Sequence, residues 1–280
     1  MSSARLGEVP LRIVPGAALT RPWRSLGGRG GLHLVERHSR AYRHLWLMLA
    51  SGLAEPLFYL LSVRIGLGRL VGSVPGPGGS RIGYMAFVAP ALLATSCMNG
   101  AIYDSTFNVF VRLKYAKLYD AVLATPMRAG DVALGEIGWA LLRGTLYAIA
   151  FMTVMLAMGL LRSPWAAAAL PAGVLTGFAF AATGMAATTF MRSWQDFDYV
   201  ILASAPLFLF STTFYPLGVY PRAVQIVVEC TPLFQAVTLM RGLVLGAAGP
   251  ALLWRAAYLA AMGVGGLYVA GQRVSRLLLT

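Results

Sequence analysis

Three histidines, two cysteines and ten carboxylates are the side chains of this 280-residue chain best suited to metal binding and acid–base chemistry near neutral pH. His33, His38 and His44 all lie in the N-terminal segment, before or at the edge of the first apolar run, and read as interfacial polar residues. Cys97 and Cys230 form no CxxC pair and lack metal-ligand spacing. Both read as small apolar packing residues, and Cys97 sits inside an apolar run that disfavours a disulfide. Asp196 and Asp198 are spaced like a DxD motif but follow Trp194 and Gln195 in a short polar connection. No HExxH or GxSxG pattern occurs. A phosphate-binding GxxxxGK[ST] loop cannot be written either, because Lys114 and Lys117 follow Leu113 and Ala116 rather than glycine. The chain therefore cannot hydrolyse ATP by itself, and neither a catalytic residue, a bound cofactor nor a metal site is expected.

What remains is a small set of polar groups within apolar runs. Glu55 lies mid-run beside Pro56, Asn99 and Asp104 lie toward the end of the second run, and Arg143 lies about two turns into the third. A charge at the centre of a membrane helix costs at least about 2.5–3.5 kcal/mol, so such residues are candidates for function. Three readings stay open for them: a structural Asp or Glu pair with Arg143, contact with a transported substrate, or snorkelling to the interface.

The elements that must position these residues are membrane helices. The chain is 58% hydrophobic and 12% charged, against about 25% charged residues in a soluble domain. Too few charges remain to cover a water-facing surface. A helical span needs roughly 20 mostly apolar residues. The runs 45–63, 83–107, 137–161, 165–190, 199–214 and 252–272 qualify, giving an all-α integral membrane protein of six transmembrane helices. The stretch 215–250 is apolar but broken by Pro216, Pro221 and Pro232, so it reads as re-entrant helices dipping into the outer leaflet. Residues 68–81 (GRLVGSVPGPGGSR) read as an irregular external loop. Leu32–Trp46 reads as an amphipathic interfacial helix leading into span one. Residues 1–31 read as a flexible Arg-rich arm ahead of a membrane domain expected at 32–280.

With 23 Lys and Arg against 10 Asp and Glu, a soluble chain would point to nucleic acid. Here the basic residues lie mostly between apolar runs, which favours lipid headgroups and the positive-inside rule, with no nucleic-acid partner. The N-terminal arm, the 108–136 connection (Arg112, Lys114, Lys117, Arg128), Arg192 and the C-terminal tail carry most of them. Both termini are therefore expected in the cytoplasm of a multi-pass protein of the bacterial inner membrane. No signal peptide is apparent and no internal repeat is visible, so an inverted-repeat transporter gains no support. The 110–135 connection places Tyr115, Leu118, Tyr119, Val122 and Leu123 ahead of a break at Thr125–Pro126, which gives a short amphipathic helix, a turn, and a second helix with Asp131 near its start.

Four stretches resemble the type-2 ABC transporter permeases, in the branch of the nodulation lipo-oligosaccharide (NodJ-like) and daunorubicin-resistance exporter permeases. They are EPLFYLLSVRIGLG (55–68), residues 84–136 ending in KLYDAVLATPMRAGDVALGE, FLFSTTFYPLGVYP (208–221) and TPLFQAVTLMRGLVLG (231–246). The resemblance implies a permease that exports an amphipathic substrate, either a lipid-linked saccharide or a hydrophobic drug. It implies two copies of a separate ATPase subunit that binds the ATP, and a second permease as homodimer or paralogue. It also implies a coupling helix at about 114–129, with Tyr115, Lys117, Tyr119, Asp120, Leu123 and Pro126 contacting the ATPase. Two other classes stay in view: a proton-coupled transporter using Glu55 or Asp104, and a membrane-embedded lipid-modifying enzyme.

Overall fold

Apolar sequence without water around it must satisfy its backbone internally, so this chain folds as helices that pack on one another. The structure, a computed structural model, describes residues 54, 57–76, 81–115, 129–161 and 163–279. The arm 1–31, the helix expected at 32–46, Glu55, the first half of span one, and Lys117, Tyr119, Asp120, Leu123 and Pro126 lie outside them.

In chain order the elements are α1 (Leu57–Leu67), β1 (Ser73–Pro75), β2 (Arg81–Gly83), α2 (Tyr84–Leu113), α3 (Ala129–Ala157) and α4 (Pro164–Thr188). There follow α5 (Phe197–Phe210), α6 (Arg222–Cys230), α7 (Pro232–Leu245) and α8 (Pro250–Leu279). The β-hairpin, the α3–α4 connection and α6–α7 mark one end of the bundle, the hairpin end. The loop end is where α2 leaves, α3 enters and α4 connects to α5.

Among the described residues four helices, α2, α3, α4 and α8, are long and apolar enough to cross a bilayer. The pair α6–α7 would count as a fifth only if taken as one span, and the two helices meet at 84°. Thr231 is extended between them and Pro232 occupies the first turn of α7, where its missing amide costs nothing. The expected span five corresponds to α5, whose 14 residues reach about 21 Å, short of a hydrocarbon core of about 30 Å.

Several helix boundaries differ from the sequence expectation, and two of them bear on the site. The second helix continues through Leu113 rather than stopping at 107, and the third begins at Ala129 rather than 137. Hydropathy ends a span at its first cluster of polar residues, whereas the helix continues as long as those residues find partners. The segment 68–81 is also not wholly irregular. Ser73–Pro75 pairs antiparallel with Arg81–Gly83, and Val74 and Ile82, opposite each other, are both buried.

Close helix approach holds the core together. A methyl group on Gly266 of α8 would lie 2.7 Å from the amide nitrogen of Thr183 and 2.8 Å from the carbonyl carbon of Ala182 on α4. Gly263, one turn earlier, faces Phe178 and Ala179 in the same way. Small residues let the α4 and α8 backbones touch, and the resulting van der Waals contact substitutes for a hydrophobic driving force that lipid does not supply.

Candidate coupling site where α2 and α3 leave the bundle

The loop-end halves of α2 and α3 carry most of the charged residues found buried in the bundle. Asp104 and Glu136 are nearly inaccessible, at 7% and 4% exposure. Nη1 of Arg143 donates to Oδ1 of Asp104 at 2.8 Å, and Asn108 donates to the same oxygen at 2.8 Å. Arg143 also donates through Nε to the Tyr147 hydroxyl at 2.8 Å and lies over that ring. Nearer the loop end, Arg112 forms an ion pair with Glu136. The step from Asp104 to Arg112 nearly equals that from Glu136 to Arg143, as two antiparallel helices require, so the pairs form consecutive rungs between α2 and α3. Each rung stands about 10–12 Å from the other at 1.5 Å per residue.

The same stretch of α2 departs from regular α-helix. Asp104–Asn108 and Val111–Tyr115 are wound as π-helix, a geometry that recurs at functional positions because it re-aims side chains and frees carbonyls. Here hydroxyls supply bonds to that region. Thr106 donates to the Ile102 carbonyl at 2.6 Å, and Thr188 of α4 donates to the Ser105 carbonyl at 3.0 Å. Gly184 leaves room for Ser105 against α4.

An aromatic cluster links this end of α2 to the α4–α5 connection. Tyr103 stacks on Phe107 with centroids 5.2 Å apart, and Phe107 meets Trp194 at 5.3 Å. Phe110 meets Phe197 edge-on at 5.1 Å and Trp194 at 5.7 Å. Offset and edge-to-face pairs of this kind add to the burial of their area. The turn that presents Trp194 is closed by Asp196, whose Oδ2 accepts from the amides of Arg192 and Ser193 at 2.6 and 3.1 Å. Those two amides hold the Asp196 carboxyl below the usual carboxylate range. The DxD-like spacing of Asp196 and Asp198 is thus accounted for by helix initiation rather than by a ligand.

The structure therefore brings two of the residues singled out in the sequence, Asp104 and Arg143, into one ion pair. Asn99 faces outward from α2, and Tyr115 ends the second π segment. The Arg112–Glu136 rung and the aromatic cluster were not singled out. Their signal was available in the antiparallel spacing of opposite charges about the 114–129 segment and in the Phe107/Phe110 and Trp194/Phe197 spacings.

Arg241, within the 215–250 stretch expected to form re-entrant helices, is a further residue that was not singled out. It is 8% exposed within α7, donates to the carbonyls of Phe87 (3.2 Å) and Thr212 (2.8 Å), and its guanidinium lies 3.7 Å from the centre of the Phe87 ring. Thr212 holds a φ of 61°, the one positive φ outside glycine among the described residues. Arg241 thereby pins a strained turn at the end of α5 to the first turn of α2.

Comparison with known proteins identifies the family. The family described as "ABC-2 type transporter" matches residues 32–245. The chain is 34% identical over 199 residues to nodulation protein J of Rhizobium leguminosarum bv. trifolii, covering 71% of this chain and 74% of that one. It is 32% identical over 224 residues to nodulation protein J of Rhizobium leguminosarum bv. viciae, covering 79% and 84%. Nodulation protein J of Rhizobium meliloti is 31% identical over 199 residues, covering 71% and 74%. With membrane-spanning helices, no ATP-binding motif and a match over most of its length, the chain belongs to the ABC-2 type transporter family, as a multi-pass membrane permease.

Proposed function

We propose that the chain is the membrane-spanning subunit of an ATP-driven exporter, with residues of the 114–129 segment docking into a separate ATPase. Two copies of that ATPase would serve two permeases, the second being another copy of this chain or a paralogue. The observation that carries the reading is the pair of cross-braced legs. The α2 and α3 helices run past their apolar stretches and are tied by Asp104–Arg143 and Arg112–Glu136, and between them lies the segment with Lys117, Tyr119, Asp120, Leu123 and Pro126. Force applied at that segment would tilt α2 and α3 together rather than bend the loop alone. The aromatic cluster would pass the motion to α5.

The loop end is assigned to the cytoplasm because it carries the greater share of Arg and Lys, which places both termini inside. The substrate class is an amphipathic molecule, a lipid-linked saccharide or a hydrophobic drug. The relatives named for nodulation favour the former. The test is affinity purification of the tagged chain from its native membrane, followed by reconstitution. Co-purification of a protein with a Walker A motif, and export abolished by vanadate, are the expected results. Export that persists without that partner and collapses with the proton gradient would overturn the reading in favour of a proton-coupled carrier.

A further inference from the structure

Between α5 on one side and α4 and α8 on the other lies an open crevice of about 960 Å³. It begins at the loop end, at Arg192 and Ser193, and runs to Pro232, at the bend between α6 and α7, and Met262 of α8. Along α5 its wall extends from Tyr199 to Leu207, a rise of about 12 Å, close to the depth of one leaflet of a core about 30 Å thick. The α5 helix stands off the bundle and has no fully buried residue. It is held near its ends, by Phe197 in the aromatic cluster and by Phe208 against Tyr59 and Phe214.

The chemistry of the wall selects what can fill it. Along its depth the hydroxyls are engaged with their own helices: Thr106 with the Ile102 carbonyl (2.6 Å), Thr183 with Ala179 (2.9 Å) and Ser204 with Val200 (2.7 Å), while those of Ser193 and Tyr199 lie toward the mouth. The remaining wall is Phe180, Ala187, Ala203, Leu207 and similar side chains. A saccharide would lose its water there and find no partner for its hydroxyls, whereas a hydrocarbon chain would lose nothing.

The mouth has a different character. Arg192 lines it and is exposed to the surface, and Asp196 beside it is engaged by two backbone amides. On the rim, Arg273 of α8 lies over the ring of Phe190 at 4.1 Å, and its buried Nε has no hydrogen-bond partner. The mouth therefore carries the guanidinium of Arg192 and, on the rim over Phe190, that of Arg273, against the single lining carboxylate of Asp196, which its two amide bonds keep ionised. Arginine pairs with phosphate through parallel N–H donors, so the mouth matches a phosphodiester.

We propose that this crevice is a binding site for an anionic phospholipid of the loop-end leaflet, with one acyl chain between α5 and α4/α8 and the phosphodiester between Arg192 and Arg273. The bound chain fills the space that α5 leaves and sets how far α5 can close on the bundle. The site is formed within one chain and does not depend on the ATPase or on the transported substrate.

The experiment uses the full chain in nanodiscs doped with phosphatidylglycerol or phosphatidylcholine carrying an acyl-chain diazirine, with photolysis followed by peptide mass spectrometry. Phosphatidylglycerol should label the stretch around Ala187 and Val200–Ala203 in preference to phosphatidylcholine, by about fivefold for each participating cation. The R192Q and R273Q substitutions, the former at an exposed position that leaves packing untouched, should each remove most of their share of that preference. Ala203→Trp, which fills the crevice, should abolish labelling there while labelling of the outer face of α8 around Leu253 and Trp254 persists. Equal labelling by the two lipids in the unmodified chain, or a preference indifferent to both arginines, would overturn the proposal. Since no ATPase is present, that failure would leave the export reading standing, and the reverse holds as well.

Discussion

The two ion pairs between α2 and α3 allow a sharp test of whether Asp104 and Arg143 brace the legs or serve the transport path. Their side chains are 6% and 13% exposed, so neither charge has water to fall back on. Removing one partner of a buried pair costs about 3–5 kcal/mol, because the other is left uncompensated, whereas replacing both by apolar residues is often close to neutral. For Asp104→Leu the lower figure applies, since Arg143 keeps its bond to the Tyr147 hydroxyl and its place over the ring. A loss of about 3 kcal/mol corresponds to a fall in Tm of about 6 °C or more for a chain of this size. Arg143→Leu leaves Asp104 hydrogen-bonded to the Asn108 amide, with Arg112 as the remaining nearby cation, and should cost a similar amount.

The double variant Asp104→Leu/Arg143→Leu should recover most of the loss, giving a coupling energy on the order of 3 kcal/mol in the double-mutant cycle. Thermal unfolding of the purified proteins in detergent supplies the stabilities, and export from proteoliposomes supplies the activity. If the pair is a brace, the double variant regains both. Stability regained without export would show that the charges act on the substrate path. Additive losses in the two single variants, with no recovery in the double, would refute the claim that the two charges form one buried unit.

Other predictions follow from the same contacts. Gly266→Ala should destabilise by about 1–3 kcal/mol, the usual cost of overpacking, because its new methyl meets α4 backbone. Gly265→Ala, with open space around it, should be neutral or slightly stabilising, and the two melting curves together test the α4–α8 seam. Asp196→Asn should lower thermal stability at neutral pH. A carboxyl held below its ordinary value stabilises the fold above the unfolded value of about 3.9 and loses that contribution as pH falls through its folded value. The difference between the two proteins should therefore vanish below the normal carboxylate range in a melt series from pH 7 to pH 3. Charge reversal at Asp120 combined with Leu123→Asp should abolish co-purification of the ATPase while membrane insertion, followed by protease protection, stays intact. An undiminished yield of the partner would remove the 114–129 segment from the docking site.

How far the sequence reveals this molecule depends on what kind of partner each residue has. Helices such as α4, whose neighbours are lipid and other apolar helices, are visible from composition alone, and its expected bounds differ from the observed ones by only a residue or two. The ends of α2 and α3 are not, because Arg112 and Glu136 look like loop charges beyond the spans until each is seen to neutralise the other across the helix pair, one rung outside Asp104 and Arg143. The β-hairpin was hidden for a related reason. Two strands of three residues carry no periodicity, and their backbone pairing and the burial of Val74 opposite Ile82 appear only in the folded chain. Arg241 shows the limit most clearly. In a one-dimensional reading a guanidinium between apolar residues belongs to a loop, since burying it unpaired is costly. In the folded chain no carboxylate is needed. Two carbonyls and the face of Phe87 receive the charge, and one of those carbonyls belongs to Thr212, whose left-handed backbone turns it toward α7. The bonds from Arg241 offset the cost of the strained turn, and the carbonyl so placed offsets part of the cost of burying the cation, so each is invisible to any reading that takes residues one at a time.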